Sequence, residues 1–286
     1  EGVLNENEKI VYDTLKAFAK RAAAGEEADS YAIATDIELS WTFAELEISG
    51  WNDANLGQAV QTKMRQSVDI DKILSALLVD CPADLYWFDK TFYSEDASAL
   101  SYSYSFTQTP ARDGVVLSGV KINMVVAEDY RKAGASVYDL DSAKIQSAQK
   151  AIQNAEQIVA ENVGKSDYEK MVAYKDAICE RTSYNSSAAA GGASYGDPWQ
   201  LIYVFDDDAN TNVVCEGYSK AFQYLCDLSG IDCYTVTGTM DGGAHMWNVV
   251  PMDGVNYLVD VTNCDSGTIG YPDQLFMAGA AGSVKD

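Results

Sequence analysis

Three residues of this chain have the types and spacing of an acyl-transfer site. Cys215 opens an amphipathic helical stretch; His245, the only histidine, follows 30 residues later; Asp260 stands 15 residues beyond that, at the end of a strand-like run. A single imidazole means a single side chain whose ordinary pKa suits proton transfer near neutrality. Thiol, imidazole and carboxylate in one constellation make a nucleophile, a proton carrier and an orienting group. The chemistry they suit is attack of a thiolate on a carbonyl carbon.

The elements that must position these groups are legible around them. Two apolar residues, Val213 and Val214, precede Cys215, and Tyr218, Phe222, Leu225 and Cys226 recur at helical spacing until Gly230. A thiol in the first turn of a helix faces the positive end of the backbone dipole, which favours thiolate. An imidazolium alongside adds more, making an ion pair ready for attack. Residues 231–238, 245–250 and 255–261 then read as three strands, with Gly254 at the turn between the last two. If those two strands pair antiparallel, His245 and Asp260 lie side by side on one sheet face. There Asp260 can accept the Nδ1–H of His245 and hold the ring.

The runs Cys215-Glu216-Gly217-Tyr218, Gly230-Ile231, Val236-Thr237-Gly238, His245-Met246-Trp247-Asn248 and Val259-Asp260-Val261-Thr262 resemble the core of the transglutaminase-like family, part of the papain-like thiol-enzyme superfamily. The resemblance spans roughly 165–275. It implies a bacterial member with an α+β fold, in which a helix bearing the cysteine packs on an antiparallel sheet bearing histidine and aspartate. It also implies Cys215 as nucleophile, His245 as general base and then acid, and Asp260 as the orienting carboxylate. One departure stands out: where relatives often carry an aromatic residue after Asp-x-Thr, this chain has Asn263-Cys264-Asp265. The family holds transglutaminases, peptidases, deamidases and members that have lost catalysis, so the motif specifies machinery more closely than reaction.

An oxyanion hole needs donors aimed at the developing charge. The Cys215 backbone N–H is one candidate, and the Gln200 side chain or the Trp199 indole a second. Glu216, Tyr218 and Trp247 are candidates for lining the cleft. Asp206-Asp207-Asp208-Ala209-Asn210-Thr211-Asn212 resembles the opening of a calcium loop, but Thr211 and Gly217 fall where an EF-hand needs Gly and Glu, so a solvated turn is expected. The six cysteines show no CxxC spacing, which disfavours a structural zinc site, and no metal or cofactor is expected. Cys226 shares the helix face of Cys215 but lies about three turns along, too far to bridge it.

The rest of the chain sets limits. A net charge of −23 repels phosphate backbones and anionic lipid, so nucleic-acid and membrane-surface binding are not expected. No run approaches the ~20 apolar residues of a membrane span. Residues 1–135 read as an N-terminal α+β region without visible chemistry, with helices over 5–24 and 53–79, a Ser/Tyr strand at 101–106 and a partner at 115–126 joined by a turn at 110–114. Residues 136–286 read as the catalytic domain. Its first helix starts near Asp141 and carries Ile145, Ile152, Val159 and Val163, its second spans 168–181, and a Gly-rich loop over 186–196 is expected to be mobile. The start at Glu1 and the small-residue stretch 279–286 read as trimmed ends of a longer protein. The functional expectation is a monomeric, secreted or cell-surface thiol hydrolase (protease, amidase or deamidase), with glutamine transamidation as a variant. Its substrate is protein or peptide, cell-wall peptide included. The alternatives are a non-catalytic surface binding module and an oligomeric scaffold on the same fold.

Overall fold

The computed structural model describes residues 4–109, 113–265 and 275–279. Residues 110–112 of the expected turn and 280–286 of the expected trimmed end lie outside the described residues. The chain divides into two compact units.

The first unit comprises residues 1–84, 88–126 and 131–141. It begins with α1 (Glu6–Ala23), capped by Asn5 and Glu8 in a reciprocal capping box. The short strands β1 (Ile33–Ala34) and β2 (Leu39–Thr42) follow, then α2 (Leu56–Ser67) and α3 (Ile70–Asp80), and then β3 (Leu100–Thr109) and β4 (Gly114–Met124). β4 is the spine of an antiparallel sheet: β3 pairs along one edge, β1 and β2 along the other. The pairing expected between 101–106 and 115–126 is therefore present. The single helix expected over 53–79 is two, because Asp69 turns its carboxylate onto the N–H groups of Asp71 and Lys72 and so starts a new helix.

The second unit comprises residues 85–87, 127–130 and 142–286. Its helices α4 (Ser142–Ala160) and α5 (Asp167–Arg181) precede two short turns of helix, α6 (Ser186–Ala189) and α7 (Ile202–Phe205), with a 3-10 turn at Asp197–Trp199 between them. The expected Gly-rich loop thus contains α6. Then comes α8 (Cys215–Leu228), the meander β5 (Tyr234–Met240), β6 (Gly243–Met252) and β7 (Val255–Val259), and finally α9 (Val261–Cys264). Both hairpins close through two-residue Asp-Gly turns, Asp241-Gly242 and Asp253-Gly254, with all four φ values positive. That is the turn whose twist matches paired strands. α4 departs from expectation in its buried face. Ile145 is buried as expected, with Ala148, Ala151, Ala155 and Ile158, whereas Ile152 and Val159 are half-buried and Val163 falls past the helix end at Ala160, 72% exposed. The alanines allow close helix packing, so the face that buries is the small one rather than the bulkiest one.

Candidate active site

α8 has no side-chain cap: Val214 stands at its N-cap and Cys215 is the first helical residue. The first N–H groups of a helix lack intrahelical acceptors, so the half-buried thiol sits beside an open set of donors. Gly217 lets the chain converge here. A Cβ at that position would stand 2.6 Å from Val213 Cβ and 2.9 Å from the Gln200 carbonyl oxygen. Residues 183–185 also run beside 212–214, through a parallel bridge between Tyr184 and Val213.

Two hydrogen bonds tie the strand of His245 to this helix. Ser219 Oγ donates to the Met246 carbonyl at 2.9 Å, and Asn248 Nδ2 donates to the Ser219 carbonyl at 3.0 Å. All three residues are buried. The Trp247 ring stacks beside the His245 ring, centroids 5.8 Å apart and planes at 26°, and lies against Gly238, where a Cβ would be 2.5 Å from its edge. A bare glycine therefore leaves room for the ring that braces the imidazole.

Asp260 reaches His245 differently from expectation. The last β6–β7 pair is Asn248 with Val259, so Asp260 lies one residue past β7 and is not opposite His245. It is the N-cap of α9 instead, with Oδ1 accepting from the Asn263 N–H at 3.1 Å. Its own N–H donates to the Leu275 carbonyl, which pins the backbone. From there Oδ2 meets His245 Nε2 at 2.7 Å. The nitrogen facing the carboxylate is thus Nε2 rather than Nδ1. The Cys215 side chain is also close enough to act on the ring electrostatically. Asn263 Nδ2 donates to the same Oδ2 at 2.6 Å and contacts Met240 Sδ. The Asp260 hydrogen bond foremost, and the Cys215 contact next, raise the His245 pKa to about 9 against the opposing effect of burial. The carboxylate thus favours the protonated imidazole, whose Nε2–H it accepts.

The remaining candidates separate. Tyr218 does not line a cleft: it is fully buried, and its hydroxyl donates to Asp265 Oδ2 at 2.6 Å. Glu216 is also buried and pairs with Lys220 at 2.9 Å. Trp247 is half-buried beside His245. Gln200 is buried, with its amide oxygen accepting from Lys220 Nζ at 2.8 Å and its Nε2 donating to Tyr195 Oη at 3.1 Å. Trp199 is half-buried and its ring lies 5.6 Å from that of Tyr195. Sequence reasoning missed Asn263, Ser219, Asn248, Tyr195 and Lys220.

Among the described residues no cluster of three His, Cys, Asp or Glu is placed to hold a metal ion. Asp206 and Asp208 instead accept from Asp208 N, Thr211 Oγ1 and Asn210 N within their own turn. No described helix is long and apolar enough to cross a membrane.

Residues 154–260 match the family described as the transglutaminase-like superfamily. Comparison with curated protein sequences gives no match. Among solved structures, the chain is similar to a protein described as a TGase, at 15% identity and TM-score 0.36, covering 62% of this chain and 50% of that one. It is also similar to a candidate cysteine protease from Cytophaga hutchinsonii, at 15% identity and TM-score 0.31, with 60% and 69% covered. A candidate protease from Parabacteroides distasonis follows at 12% identity and TM-score 0.27, with 56% and 37% covered. The chain thus spans half the length of the first of these, and at such scores the structural likenesses carry no argument about activity.

Proposed function

Taking as premise that residues 154–260 are a transglutaminase-like domain, we propose that this protein is a cysteine-dependent acyl-transfer enzyme acting on amide bonds through Cys215, His245 and Asp260. The observation that carries the reading is the placement of His245, with Nε2 on Asp260 at 2.7 Å and the ring within electrostatic reach of the thiol that opens α8.

In this mechanism the Cys215 thiolate, paired with the His245 imidazolium, attacks the amide carbonyl carbon. A C–S bond forms and the carbonyl electrons move to oxygen. The Cys215 backbone N–H, unsatisfied within the helix, stabilises that oxyanion. The electron pair returns, the C–N bond breaks, and His245 delivers its proton to the departing amine. A thioester remains on Cys215. Water then adds as His245 removes its proton, and the acid leaves with thiolate and imidazolium restored. An amine in place of water gives transamidation. We favour hydrolysis of protein or peptide amides, since water needs no dedicated acceptor site. We assign the protein to a secreted or cell-surface setting on the strength of its acidity.

The test is alkylation of Cys215 followed by mass spectrometry across pH, in wild type and His245→Ala. In wild type Cys215 is alkylated at about pH 6, and His245→Ala removes that reactivity. Reactivity at that pH that is absent from wild type, or that survives His245→Ala, would overturn the assignment and favour a binding module.

A further inference from the structure

Directly behind the nucleophile lies a buried set of polar groups that the mechanism above does not use. Glu216 and Lys220 occupy the first turn and a half of α8 and are 8% and 3% exposed. Lys220 Nζ meets Glu216 Oε1 at 2.9 Å and the Gln200 amide oxygen at 2.8 Å. Gln200 Nε2 donates to Tyr195 Oη at 3.1 Å, and the Tyr195 hydroxyl donates back to Glu216 Oε1 at 2.8 Å. The four side chains close a ring, with Lys220 Nζ also 3.4 Å from Tyr195 Oη. A buried ion pair is a poor source of stability against apolar side chains of the same volume, since desolvation offsets its attraction. A closed, fully hydrogen-bonded ring instead specifies position. Its two sides are the start of α8 and the segment 195–200, and Gly217 faces the Gln200 carbonyl, whose oxygen would stand 2.9 Å from an added Cβ.

We propose that Tyr195, Glu216 and Lys220 are positioning residues for acyl transfer: the ring fixes the Gln200 amide and the 195–200 wall against the first turn of α8, so that the oxyanion donors are in place before the carbonyl arrives. Lys220 holds the amide oxygen and Tyr195 takes one Nε2 hydrogen, which leaves the second as the donor that the ring orients. This rests on the acyl-transfer reading and adds to it a set of residues with a separable effect. Alkylation of Cys215 is displacement at a saturated carbon and develops no carbonyl oxyanion, whereas acylation by an activated ester does. A positioning role moves only the second reaction; a fold-stabilising role moves both or neither.

The experiment uses the full chain as wild type, Tyr195→Phe, Glu216→Gln and Glu216→Ala. It measures Cys215 alkylation by iodoacetamide, Cys215 acylation by p-nitrophenyl acetate, and thermal midpoint. Tyr195→Phe keeps the ring stack on Trp199 and removes only the hydroxyl, so it preserves the fold even where Glu216→Ala does not. We expect acylation to fall roughly 10- to 100-fold in Tyr195→Phe and Glu216→Ala, with alkylation and its pH profile within about twofold of wild type. Glu216→Gln keeps an acceptor for Tyr195 and Lys220 and recovers part of the loss. Acylation at the wild-type rate in Tyr195→Phe, or an equal fall of both reactions, would defeat the positioning role while leaving the enzyme reading intact. Wild type that alkylates but is never acylated would defeat the enzyme reading, and the ring's role with it.

Discussion

At the residue scale, the contact between His245 Nε2 and Asp260 Oδ2 has consequences for both rate and stability. The carboxylate is the first cause of a His245 pKa raised to about 9. The folded protein therefore binds the imidazolium proton more tightly than the unfolded chain, whose histidine titrates near ~6.5. That preference stabilises the fold fully below about pH 6.5 and is lost as pH climbs to about 9. Thermal midpoints measured from pH 6 to 10 should fall across that window in wild type and much less in Asp260→Asn. The same substitution should pull the alkaline limb of activity from near pH 9 toward neutrality, and lower turnover by roughly three powers of ten, because the ring loses its orienting partner. An alkaline limb that stays put in Asp260→Asn would mean that the carboxylate does not set the imidazole. Asn263 shares Oδ2 at 2.6 Å, so Asn263→Ala should move the limb too, in a direction that reveals whether the amide restrains or competes with the histidine.

At the element scale, the site depends on how closely three pieces of backbone approach. Gly217 is a tight point, with Val213 and the Gln200 carbonyl already within 3.0 Å of an added Cβ. Gly217→Ala must push the first turn of α8 away from residues 200 and 213, at a cost of roughly 1–3 kcal/mol. We expect Cys215 alkylation at about pH 6 to drop by about tenfold or more even where circular dichroism shows a folded protein; a variant with wild-type alkylation would show that the approach is incidental. These elements differ in how readable they were. α8 and the second hairpin announced themselves through helical spacing and the turn at Gly254, both of which are local chemistry, whereas the Asp241-Gly242 turn emerged only with the fold. The break between α2 and α3 carried no Gly or Pro, only an aspartate whose capping role needs the fold to reveal it. The α4 face was misjudged because alanines contribute little to a hydropathy pattern, yet pack where the helices come closest. Asp260 was recognisable as a partner for His245, but not as the cap of α9, since a four-residue helix leaves almost no periodic trace. Nor could composition indicate that Lys220 and Glu216 turn inward: charged side chains are seldom buried, and only the closed ring with Tyr195 and Gln200 makes it tolerable here.

At the scale of the whole molecule, charge is the property that no single site explains. With 43 acidic against 20 basic side chains, the net charge is −23. Self-repulsion of this size opposes the compact state and is felt most where counterions are scarce. The Debye length shortens from about 30 Å at 0.01 M salt to below 10 Å past 0.1 M, so added sodium chloride should screen most of that repulsion. For a chain of this length, a gain of one or two kcal/mol corresponds to a rise in thermal midpoint of roughly 2–6 °C. We expect that rise between 10 mM and 500 mM salt at pH 7.5, and a smaller one near pH 5, where carboxylates begin to take up protons and the repulsion fades. The His245–Asp260 pair runs the other way, because it is an attraction. Being buried, however, it is screened far less than the surface charges. The midpoint should therefore rise with salt while the alkaline limb set by His245 stays near pH 9. A midpoint indifferent to salt would mean that the acidic side chains are spread widely enough to cost the fold little, and a limb that slid with salt would place His245 in contact with solvent.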